Sequence, residues 1–103
     1  MNNEEIIDYY TGCKRIFTHY GLEKQKLQFI QELAELIQAI TKNDTDNFIE
    51  ELADVQVMID QFTISNEFLD KKYQQMQKNK VIRQLQRIED EQNENKRRNT
   101  RKT

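Results

Sequence analysis

The sequence predicts an all-α protein, a four-helix bundle. Three observations carry this. The 103 residues include no proline and only two glycines, a third of them are charged, and apolar residues recur at helical spacing through most of the chain. Sheet folds need turn-forming residues at every connection, and this composition lacks them. The length suits one domain.

The first helix is expected over residues 3–20. Ile6, Tyr10, Cys13, Phe17 and Tyr20 follow one face, and Gly21 is placed to end it in a left-handed cap. A second helix is expected over 22–42, with a stripe of Leu27, Ile30, Leu33, Ala34, Ile37 and Ile40 that Phe29 and Leu36 widen. It stops at the polar run Asn43, Asp44, Thr45 and Asp46. Asp44 or Thr45 can cap a third helix over 46–63, whose stripe is Phe48, Leu52, Val55, Ile59 and Phe62. The short connection makes the second and third helices antiparallel neighbours. A fourth helix is expected over 67–90, with a narrower stripe and a break near Asn79.

No residue after Ile88 is apolar, so residues 1–90 form the expected domain and 91–103 a charged, disordered tail. Within that tail Lys96, Arg97, Arg98, Arg101 and Lys102 follow Glu89, Asp90, Glu91 and Glu94. The core available to about ninety residues is thin, so a homodimer or homotetramer is expected. Sixteen basic residues against eighteen acidic ones give a net charge of −2, which argues against a surface built to bind nucleic acid. Cys13 is the only cysteine, which excludes an intrachain disulfide and a thiolate zinc site. Its place on the apolar face makes it a small buried hydrophobe. No secretory signal and no membrane-spanning apolar stretch is present, so a cytoplasmic location is expected.

The second and third helices contain a repeat at an interval of nineteen residues. Ile30 to Leu36 and Ile40 align with Ile49 to Val55 and Ile59. Each copy holds two acids three residues apart, Glu32 with Glu35 and Glu51 with Asp54, about 60° apart around a helix and one turn along it. Spacing alone says little, because Glu5 with Asp8, Glu67 with Asp70 and Glu91 with Glu94 share it. What distinguishes the central pairs is their leucine and alanine surroundings, which place the acids beside the apolar stripe. Four carboxylates converging between antiparallel helices repel one another, and a bound cation removes the conflict. Oxygen ligands without cysteine or histidine select a hard ion, Mg²⁺ with Mn²⁺ as substitute. A di-iron bundle needs Glu-x-x-His on two helices, whereas His19 is the sole histidine and lies outside the repeat.

Over residues 25–62 the chain resembles the MazG-like all-α nucleoside triphosphate pyrophosphohydrolases, whose motif is Glu-Glu-x-x-Glu followed on the next helix by Glu-x-x-Asp. Gln31, Glu32 and Glu35 stand at the first motif, Glu51 and Asp54 at the second, with Gln31 in place of the first glutamate. The resemblance implies Mg²⁺-dependent hydrolysis of a nucleoside triphosphate to the monophosphate and pyrophosphate, a house-cleaning role in the nucleotide pool. Glu32, Glu35, Glu51 and Asp54 are then the metal ligands, and Glu32 or Glu35 positions the attacking water. Gln31, Lys72, Lys80, Arg83 and Arg87 are candidates for contacting the triphosphate. The base is expected on an aromatic of the first helix, Tyr9, Tyr10, Phe17 or Tyr20, with His19 as a polar reader. The alternative is a non-enzymatic dimeric helical module that regulates through its basic tail.

Overall fold

In the computed structural model, which describes residues 1–102, the chain forms four helices and, among those residues, no strand. They are α1 (Asn3–Tyr20), α2 (Leu22–Thr41), α3 (Thr45–Ile64) and α4 (Glu67–Lys102). The chain divides into two compact units, Met1–Glu67 and Phe68–Thr103.

In the first unit the helix ends follow from local chemistry. Asn2 caps α1 by accepting the Glu5 backbone N–H at Oδ1, 2.9 Å away. Gly21 ends α1 with its N–H on the Phe17 carbonyl at 2.9 Å and, at the same time, begins α2. Its φ of 85° is the positive value expected, but its ψ of 164° is extended rather than left-handed helical. A left-handed cap would coil the chain back, whereas this conformation, which glycine alone tolerates well, lets two helices abut without a linker. Asn43 takes a φ of 56° after α2, a conformation that asparagine accepts readily, and Asp44 caps α3 through the Asn47 N–H at 3.2 Å.

Packing is most extensive between α2 and α3, then between α1 and α3. The innermost apolar side chains are Cys13, Ala39, Val55 and Met58. Around them Phe62 meets Phe17 and Phe29 with ring centroids 5.4 and 5.5 Å apart. Tyr9 on α1 donates its hydroxyl to Asp60 Oδ2 on α3 at 2.6 Å, and Gln56 donates to the other oxygen at 3.0 Å. Burial, then the Asp60 bond, push the Tyr9 hydroxyl pKa far up, and burial raises that of the Cys13 thiol against an opposing Tyr9 bond, so both are neutral parts of the core.

The structure corrects the expected inner face of α2. Leu27, Ile30 and Ile37 are 69%, 63% and 62% exposed, and Leu33 and Ile40 are exposed too. Phe29, Glu32, Leu36 and Ala39 turn inward instead, along with Gln25. With apolar residues on two sides of the helix, periodicity alone did not choose between them, and the side that meets α1 and α3 is the one that carries the aromatic ring and the small alanine.

The second unit holds α4 from Phe68 onward. It shows no break near Asn79, whose Oδ1 accepts from Gln75 at 3.0 Å, and it continues beyond Asp90 to Lys102. The segment lacks glycine and proline, and pairs four residues apart support it, such as Glu94 with Arg98 at 3.6 Å. Nearly every described residue of α4 is exposed. Thr103, the end of the expected tail, lies outside the described residues. No helix among the described residues is long and apolar enough to cross a membrane.

Candidate metal centre

The antiparallel seam of α2 and α3 brings the repeated acids together. One carboxylate oxygen from each of Glu32, Glu35, Glu51 and Asp54 lies within 4.8 Å of the others. The seam has a simple register. On α2, Gln25, Gln28, Glu32 and Glu35 recur at intervals of three, four and three, and on α3 Glu51, Asp54, Met58 and Gln61 do the same. Run antiparallel, the two strips oppose Gln25 to Gln61, Gln28 to Met58, Glu32 to Asp54 and Glu35 to Glu51. The 2.7 Å bond from Gln25 Nε2 to Gln61 Oε1 fixes one end of this alignment, and the acid cluster fixes the other.

Glu32, Glu35 and Glu51 are half-buried and Asp54 is exposed. Gln28 donates to Glu32 Oε1 at 2.7 Å, and Gln31 donates to Glu35 Oε1 at a longer 3.4 Å. Glu32 Oε2 and Glu51 Oε2 are buried with no hydrogen-bond partner. Among the described residues no lysine or arginine pairs with any of the four acids. Burial pushes the Glu32 carboxyl above the usual glutamate range. The Gln28 bond opposes this, while the Glu35 and Asp54 carboxylates add to it. Glu51 is raised as well, by desolvation first and then by Glu35, Asp54 and Glu32.

A carboxylate oxygen that is buried without a donor is costly, and two of them facing further carboxylates are costlier. A divalent cation relieves both problems, because these oxygens are hard donors and the set contains no nitrogen or sulfur. The residues present therefore fit a hard divalent ion.

The other expected site residues are placed differently. Gln31 lies exposed beside the cluster. His19 is exposed on α1, edge-on to Tyr20 with centroids 4.7 Å apart, and lines a surface hollow with Lys14 and Arg15. Lys72, Lys80, Arg83 and Arg87 are exposed on α4, in the second unit. Of the aromatics considered for a base, Tyr9 is tied to Asp60 and Phe17 is packed on Phe62, whereas Tyr20 stays half exposed. Gln25, Gln28 and Gln61 were not singled out from the sequence. Continuing each acid pair along its own helix by four and then three residues leads to them.

An all-oxygen carboxylate centre on a helical hairpin defines a class, that of all-α proteins equipped to bind a hard divalent cation. The family model of the MazG nucleotide pyrophosphohydrolase domain matches residues 21–86, well over half the chain and the whole of both acid motifs. The chain belongs to the MazG family. No match is found among curated proteins or among solved structures.

Proposed function

We propose that the chain is a Mg²⁺-dependent nucleoside triphosphate pyrophosphohydrolase. It hydrolyses the bond between the α and β phosphates of an NTP or dNTP and releases the monophosphate and pyrophosphate, in cytoplasmic cleaning of the nucleotide pool. The observation that carries this reading is the convergence of four carboxylates, two of them with a buried and unpartnered oxygen, in a chain of this family.

Glu32, Glu35, Glu51 and Asp54 would hold the metal, with Mn²⁺ as a substitute. Bound there, the ion would supply neutralisation of the charge that develops on the phosphate oxygens. Gln28 and Gln31 orient the two α2 carboxylates by hydrogen bonds, so that their oxygens keep a fixed direction. Glu32 or Glu35 positions the attacking water and accepts its proton. Lys72, Lys80, Arg83 and Arg87 remain the candidates for contacting the triphosphate. Assembly as a homodimer or homotetramer is part of this reading, supported by the exposed apolar row of α2, which a lone protomer leaves in water.

The test is pyrophosphate release from a panel of ribo- and deoxynucleoside triphosphates with Mg²⁺, comparing wild type with Asp54→Asn. Release by wild type that disappears in the variant is expected. Equal release by the two would overturn the site. No release from any nucleotide, by folded and Mg²⁺-loaded protein, would favour a non-enzymatic helical module.

A further inference from the structure

The acids occupy one half of the α2–α3 strip, and three amides with Met58 line the other half. Beside them lies a groove of about 530 Å³. Gln28 and Gln31 line this groove and also donate to Glu32 and Glu35, so two of its lining amides border the acid cluster. At its far end lie Gln25 and Gln61, buried to 5% and 2% exposure.

These two amides have unspent hydrogen-bonding capacity. A glutamine amide offers two N–H groups and an acceptor oxygen. Their mutual bond uses one hydrogen of Gln25 Nε2 and the oxygen of Gln61. The one partner of Gln61 Nε2 is the Met58 sulfur at 3.6 Å, a weak acceptor, and Gln25 Oε1 accepts from no group among the described residues. A buried amide pair that served packing alone could be replaced by apolar side chains at little cost. Facing a groove, the same pair presents a donor and an acceptor to a ligand.

The remaining walls suit a flat ring. Ile16, Leu27 and Met58 supply apolar surface, and the half-exposed Tyr20 ring supplies an aromatic face. Lys24 completes the lining, with its ammonium 6.0 Å from the Tyr20 centroid. An apolar slot with a few placed polar groups is the usual form of a small-molecule site, and glutamine is a common reader of a base edge. Gln25 stands seven residues before Glu32 on the same helix, about 10 Å along the axis. A base edge at the amides would therefore leave the sugar and phosphates to extend along the strip toward the acids.

We propose that Gln25 and Gln61 read the nucleobase of the substrate by hydrogen bonds, with Tyr20 as the stacking face, in the groove whose Gln28 and Gln31 amides bond to Glu32 and Glu35. The assignment rests on the pyrophosphohydrolase reading above. It moves base recognition from His19 to the α2–α3 seam.

The experiment measures binding by calorimetry, in Mg²⁺, of nucleoside triphosphates made non-hydrolysable between the α and β phosphates. Four bases and inorganic tripolyphosphate are compared. Wild type is expected to bind one base about tenfold or more tightly than the others. In Gln25→Met/Gln61→Met the bases fall within about threefold of one another, while tripolyphosphate binds as in wild type. Tyr20→Ala removes an exposed ring and leaves the core intact. It should weaken every nucleotide by about tenfold and tripolyphosphate not at all. Base preference that survives undiminished in the double variant overturns the proposal and leaves the enzyme reading standing, as does wild type that binds nucleotides no better than tripolyphosphate. Wild type that binds neither nucleotides nor tripolyphosphate overturns both.

Discussion

The two ends of the α2–α3 strip share one spacing and one register but differ in whether their side chains satisfy each other. At the amide end Gln25 and Gln61 each carry donors and an acceptor, so they can bury themselves with a 2.7 Å bond between them. At the acid end four groups that only accept face one another, and the buried oxygens of Glu32 and Glu51 are left without a partner. The hairpin geometry is indifferent to this chemistry. What it fixes is opposition, and residue type decides whether the opposed pair bonds across the seam with groups to spare or repels until a third body intervenes. The amide end is complete enough to hold the seam together, and the acid end is left incomplete in a way that a cation corrects.

The largest effect that tests this contrast is on turnover. Glu51→Gln removes one charge and turns an unpartnered acceptor into an amide, so it makes the acid end resemble the amide end. We expect Mg²⁺-dependent pyrophosphate release to fall at least about a hundredfold with helicity by circular dichroism unchanged. Next comes metal-linked stability. Mg²⁺ at about a hundred times its dissociation constant should stabilise wild type by about 2.7 kcal/mol in thermal unfolding, and Glu32→Gln/Glu51→Gln should gain almost nothing. Retained metal stabilisation in that variant would place the ion elsewhere.

A smaller effect appears without metal. Glu32 and Glu51 are raised above the ordinary glutamate pKa of about 4.3 by burial and by neighbouring carboxylates, so the folded state holds its protons more tightly than the unfolded state. Their favourable contribution is therefore full below the ordinary glutamate range and is lost as pH rises through the raised values. The Tm curves of metal-free wild type and Glu32→Gln/Glu51→Gln should converge in acid and separate toward neutral pH, with the variant the more stable. Mg²⁺ should abolish the difference by stabilising wild type. The smallest change is expected from Gln31→Glu, which restores the first acid of the family motif at an exposed position next to Glu35. Added ligand charge should tighten Mg²⁺ by about threefold in a calorimetric titration.

Much of this was legible in the sequence because the signals were local. The cap at Asp44 and the break at Gly21 set helix ends, and the repeated acids in leucine-alanine context marked the seam. The inner face of α2 was not legible, because Leu27, Ile30, Ile37 and Ile40 form a longer apolar row than Phe29, Leu36 and Ala39. Length of a stripe measures hydrophobicity, whereas burial depends on which ring fits against Phe62. Gln25 and Gln61 escaped notice for a related reason. An amide is polar in any composition count, and its burial becomes visible only when a second amide stands opposite. The continuation of α4 past Asp90 was missed because the absence of apolar residues removes a packing partner without removing the capacity to be helical.

Every acid of the centre lies on one helical hairpin with a short turn, between Glu32 and Asp54. Closing so short a stretch of chain costs little entropy, so the carboxylates meet as soon as α2 and α3 dock. Their repulsion is then felt early in folding, and a divalent ion in the refolding buffer would act on the rate at which the hairpin forms as well as on the stability of the finished protein.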